Sequence, residues 1–124
     1  MTTKIFLAYR LLYIAYGLLP IVAGADKFLY YIGEWHIYIN DAIPAFFNIS
    51  MQSLLRGMGL TEIIFGVLVL LKPILGGSLV TLGLIAIALN IISTGTHYDV
   101  AVRDIIMAVG SSALVLLAQY LHRD

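Results

Sequence analysis

The chain contains no cysteine, which excludes disulfides, thiol relays and thiolate metal sites within it. Charge is scarce as well. Lysine and arginine number seven, aspartate and glutamate seven, so charged residues make up 11% of the chain, against about one quarter in an average soluble domain. The zero net charge and the lack of a basic cluster argue against a nucleic-acid partner. There is no glycine-rich nucleotide loop and no pattern of an activated nucleophile. The three histidines, His36, His97 and His122, all fall in loops or at ends. A bis-histidine haem between membrane helices needs ligands deep in the helices, so haem is set aside.

What the chain does have is apolar surface. It is 61% hydrophobic, with a mean hydropathy of +0.99. A chain this short cannot hide that much apolar area in a water-soluble core. The composition predicts a polytopic membrane protein in one domain, all-α, with spans near 4–25, 51–71, 75–94 and 103–121. The last of these is just long enough to cross. Lys4, an apolar run and Ala23-Gly24-Ala25 imitate a signal peptide, but Arg10 interrupts the apolar run, so this stretch reads as a retained first helix. Between the first two spans, Phe28, Tyr30, Tyr31, Trp35, Tyr38, Phe46 and Phe47 are interleaved with Glu34, His36, Asn40 and Asp41. Rings of this kind favour the headgroup level, so the segment is expected to lie along the membrane surface and cap one end of the bundle. A sharper version makes it a lid over a polar pocket. Four spans put both termini on one side, with Lys4, Lys72 and Arg123, and with Arg10 able to snorkel toward it. The basic-residue bias is slight and favours cytoplasmic termini.

The first span carries Arg10, Tyr13, Gly17, Pro20, Gly24 and Lys27 at alternating spacings of three and four, which is one stripe of a helix. Small residues in such a stripe let a neighbouring backbone approach. An arginine within an apolar segment needs a partner or an exit to water. Glu62 lies midway along the second span, roughly 15 Å from either surface, on a seam with Gly59 and Gly66. An Arg10–Glu62 ion pair is therefore expected. The functional version of that pair is a proton or quinone site, with Tyr13, Tyr16, Asn90, Ser111, Ser112 and Gln119 supplying hydrogen bonds. The bland version is that these polar groups hold helices together. At the opposite end, Asp26, Lys27, Arg103 and Asp104 are expected to meet as two crossed salt bridges. Asp104 there suits the positive end of the fourth helix. Adding Glu34, His36, His97 and Asp99 gives donors enough for a metal, but their spacing matches no metal motif.

The pattern Arg10-x6-Gly17-x6-Gly24-x2-Lys27-Phe28, the Glu62-Ile-Ile-Phe-Gly66 stretch and the Ala101-Val-Arg103-Asp104 opening followed by Gly110 resemble the DoxX-like family of small bacterial membrane proteins. The resemblance covers most of the chain in outline and is weakest from Tyr30 to Asn48. It implies a four-helix bundle in the bacterial inner membrane, linked to quinone-dependent or other oxidoreductases, or to assemblies handling oxidative stress. Members supporting thiol chemistry rely on cysteines, which this chain lacks.

Three functions compete, one of them a purely structural interaction protein in which Arg10 and Glu62 serve folding alone; the other two assign them more. One is a membrane subunit or anchor of a redox complex, without catalysis of its own. In that version Arg10, Tyr13, Glu62 and Asn90 shape a pocket for a quinone or lipid, and an oxidoreductase subunit is the partner. The other is a small transporter or channel built as a homo-oligomer, with Glu62 lining a polar path.

Overall fold

The computed structural model describes residues 2–29 and 34–122. Tyr30, Tyr31 and Arg123, named above, lie outside them. Four long helices dominate: α1 (Thr2–Leu29), α3 (Met51–Leu71), α4 (Pro73–Ser93) and α5 (Tyr98–Tyr120), with a short α2 (Ala42–Phe47) and a 3-10 turn (Trp35–Tyr38) between α1 and α3. All four long helices have the length and apolarity needed to cross a bilayer. Only 17% of the most apolar window of α1 is buried within the bundle, rising to 28% in α4 and α5. The remaining apolar surface therefore needs an apolar solvent. On α1 it forms a continuous strip of exposed Leu7, Leu11, Ile14, Leu18 and Val22, three or four residues apart, as one helix face requires. The chain is a small, multi-pass integral membrane protein.

Each helix end has a local cause. Ser50 caps α3, its hydroxyl accepting from the Ser53 amide at 3.1 Å. Lys72 leaves the helical region (φ −138°, ψ 84°), as a residue before proline does, and Pro73 then opens α4 with its ring already set for a first helical turn. The α4–α5 turn uses Gly95 at φ +79°, a left-handed backbone that glycine adopts at no steric cost. α5 begins at Tyr98, five residues before the expected start at Arg103. The acid in its first turn is therefore Asp99, and Asp104 lies farther inside the helix. α1 overruns its expected limits at both ends, and Pro20 does not interrupt it.

The helices pair first as α1 with α3 and α4 with α5, and α3–α4 contacts join the two pairs. α1 and α3 run antiparallel. Gly17 abuts Gly66 and Gly24 abuts Gly59, two seven-residue repeats matched in opposite directions. Approach is reciprocal at the second pair. A Cβ on Gly59 would stand 2.6 Å from the Gly24 carbonyl oxygen, and one on Gly24 would fall on the Gly59 carbonyl. Only glycine permits that separation. The core proper is small: Tyr9, Tyr16, Val69, Val80, Leu114 and Ala118, with a satellite of Ala88, Ile91 and Ala101 under the α4–α5 turn.

The segment of residues 34–50 caps one end of the bundle, as its aromatic content suggests. The Asn90 side chain anchors it, accepting from the Asn40 amide at 3.1 Å and donating to the Tyr38 carbonyl at 2.7 Å. Ile39 and Pro44 point inward, whereas Phe46 and Phe47 are exposed and meet edge to face.

Candidate functional site

The most concentrated chemistry lies under this cap. Lys27 and Glu62 occupy equivalent places in the antiparallel pair, each three residues beyond a glycine of the close contact (Gly24 and Gly59). Side chains on a helix lean toward its N-terminus. On antiparallel helices these two therefore lean toward each other and meet across the glycines. The Lys27 ammonium donates to both carboxylate oxygens of Glu62, at 2.9 and 2.8 Å. The pair is well buried, with side-chain exposures of 5% and 15%. The glycines make room for it: Lys27 Cβ lies 3.1 Å from where a Gly59 Cβ would stand, and Glu62 Cβ lies 3.2 Å from the equivalent point at Gly24.

The cap closes over the pair. The Trp35 ring lies 4.0 Å from Lys27 Nζ, placing the ammonium on an aromatic face. The indole N–H of Trp35 donates to Asp26 at 2.7 Å, and Asp26 is itself buried. Asp104 approaches from α5. It is 8% exposed, and both Glu62 and Lys27 act on it electrostatically, yet it makes no hydrogen bond or ion pair among the described residues. The cluster thus gathers one ammonium and three carboxylates, with the strongest bond between Lys27 and Glu62.

Several expectations are corrected here. Glu62 pairs with Lys27, not with Arg10. Arg10 is exposed and its guanidinium lies 5.0 Å from the Phe6 ring. The reason is depth. With Gly17 facing Gly66, seven residues further toward the termini bring Arg10 level with Pro73, where α3 ends and α4 begins. Arg10 therefore lies level with the break between α3 and α4, and no acid among the described residues pairs with it.

The two crossed salt bridges also do not form. Arg103 is exposed and pairs loosely with Asp99 at 3.6 Å, a surface contact of little energetic weight. Asp26 takes the indole, and Lys27 takes Glu62. Of the expected cluster, Asp26, Lys27 and Asp104 come together while Arg103 turns away.

The pocket expected from Arg10, Tyr13, Glu62 and Asn90 is not assembled. The Tyr13 hydroxyl donates to the Leu70 carbonyl, about 12 Å along α3 from Glu62 at 1.5 Å per residue. Asn90 is occupied with the cap at the opposite end. Other polar side chains tie helices together: Tyr16 donates to the Met107 carbonyl at 2.7 Å, and Thr81 and Ser111 share a hydrogen bond of 2.6 Å. Among the described residues no three of His, Asp and Glu converge as metal ligands.

The role of Trp35 is the feature that reading the sequence missed, since nothing in its immediate context points to Asp26 or Lys27. The Lys27–Glu62 pair did leave a signal. The motifs Gly24-x2-Lys27 and Gly59-x2-Glu62, set in antiparallel register with side-chain lean included, identify the partners. Compared with protein-family models, curated proteins and solved structures, the chain matches none.

Proposed function

We propose that this chain is a non-catalytic membrane subunit, an anchor in the inner membrane for a quinone-linked or other redox assembly, with both termini cytoplasmic. One observation carries the reading: apart from Asp104, the polar side chains described above inside the bundle are engaged with other groups of the bundle. Lys27 is bound by both oxygens of Glu62 under the Trp35 ring, and Tyr16, Thr81 and Ser111 join helices. Interior chemistry of this kind holds a scaffold in one shape, and the surface is left to meet partners. The DoxX-like pattern of Arg10, Gly17, Gly24, Lys27 and Arg103-Asp104 supports a redox setting for that scaffold. The test is recovery of the tagged chain in a mild detergent, followed by mass spectrometry of what accompanies it. A stoichiometric oxidoreductase subunit is expected, and a chain recovered alone or only as copies of itself overturns the proposal.

A second reading draws on Asp104, a buried carboxylate beside an existing carboxylate–ammonium pair. In an oligomeric transporter such a group moves protons. Liposome flux distinguishes this reading, since Glu62→Gln and Asp104→Asn would abolish pH-driven flux in a carrier, and an anchor has no flux to lose.

A further inference from the structure

At the end of the bundle opposite the charge cluster, an open groove of about 430 Å³ runs between the start of α1 and the α3–α4 turn. Its walls are Phe6, Tyr9, Tyr13, Leu70 and Leu71, and Arg10 stands at its rim. The Tyr13 hydroxyl is tied to the Leu70 carbonyl, a group that the break at Lys72-Pro73 leaves without a helical partner. The floor of the groove is thereby held in place. Ile14, one turn of α1 beyond Arg10, and Pro73 complete the lining.

Three features fit one occupant. First, the antiparallel glycine register puts Arg10 level with Pro73, where α3 gives way to α4. Second, Arg10 forms no ion pair among the described residues, so its forked donors are free to bind an oxyanion. Third, Lys4 and Lys72 occupy this same end, and none of the described residues there is acidic. Below the cationic rim the lining is apolar, which suits an acyl chain and does not suit a free ion.

We propose that this groove is a binding site for one anionic glycerophospholipid. Its phosphate rests on Arg10, with Lys72 adding charge from the turn, and an acyl chain follows Tyr13 and Leu70 into the bilayer. The site serves a free chain as well as a complexed one, so it does not depend on the subunit reading.

The test uses the full chain purified in a neutral detergent, titrated with phosphatidylglycerol, phosphatidylcholine or inorganic phosphate, and read by native mass spectrometry and thermal unfolding. Phosphatidylglycerol is expected to bind more tightly than phosphatidylcholine, by about fivefold for each cation engaged. Arg10→Gln should reduce that preference by about fivefold and Lys72→Gln by less, while Arg103→Gln at the other end leaves it unchanged. Circular dichroism checks that the variants fold, and Lys72→Gln keeps the test open if Arg10→Gln does not. The proposal is overturned if the wild-type chain binds the two lipids equally, if Arg103→Gln weakens the preference as much as Arg10→Gln, or if inorganic phosphate stabilises the chain as well as the lipid does.

Discussion

The two ends of this bundle both carry cations on α1, and they treat them in opposite ways. Lys27 is buried, clamped by Glu62 and covered by an indole ring. Arg10, 17 residues earlier on the same helix, is exposed beside Phe6 and pairs with no acid among the described residues. Arginine is the more obvious functional flag in an apolar helix, yet lysine is the one in the interior. Depth decides which cation needs a counter-ion, and depth is set by how α1 slides against α3. The glycine contacts fix that slide, so the small residues of this protein determine the fate of its charged ones.

The comparison can be broken most directly at Lys27. Lys27→Ala leaves Glu62 buried without its partner and should cost about 3–5 kcal/mol, seen as a large drop in the unfolding temperature in detergent. Replacing both, Lys27→Met with Glu62→Leu, should recover most of that loss, since an apolar pair needs no compensation. If the double variant is as unstable as the sum of the singles, the two groups are not a unit.

Gly24→Leu should come next, at about 1–3 kcal/mol for forcing a side chain into a filled contact, and it should also disturb the ion pair. Gly57→Ala is the matching control. A Cβ there meets nothing within 4 Å, so helix propensity alone should raise stability by up to about 1 kcal/mol. A loss at Gly57 comparable to that at Gly24 would contradict the α1–α3 register.

Trp35→Phe keeps an aromatic face over Lys27 and removes the donor to Asp26. Loss of a hydrogen bond to a buried carboxylate should cost about 1.5–3 kcal/mol. The change should expose residues 34–50 to protease before the helices melt. Protease resistance equal to wild type would mean that the indole N–H does not hold the cap. Arg10→Gln is expected to have the smallest effect, within about 0.5 kcal/mol in detergent without added lipid. A destabilisation matching that of Lys27→Ala would mean that Arg10 lies in the dry interior after all.

Much of the architecture was legible in the chain. Apolar runs of bilayer length, the Lys72-Pro73 break and the glycine-bearing turn before α5 leave little freedom in the number and order of long helices. The aromatic segment after Lys27 was legible as a cap for the same reason, because amphipathic rings have one favourable depth. The site was harder to read. Spacing placed Glu62 at mid-helix on a glycine seam, but the partner read for it was Arg10, and the structure gives Lys27. Asn90 and Tyr13 looked like pocket residues because each is polar on an apolar helix. Asn90 holds the cap, and Tyr13 satisfies a carbonyl at the end of α3 and lines the groove beside Arg10, away from Glu62.

The amino-acid sequence by itself determined that this protein has four helices long and apolar enough to cross a membrane and that its helices meet along glycines, since apolar length and small-residue spacing are properties of single segments. Which cation faces which carboxylate was decided only by tertiary structure. A register between antiparallel helices, acting with the lean of side chains toward each N-terminus, brings Lys27 and Glu62 together and leaves Arg10 level with the α3–α4 break, and that register does not belong to one helix alone.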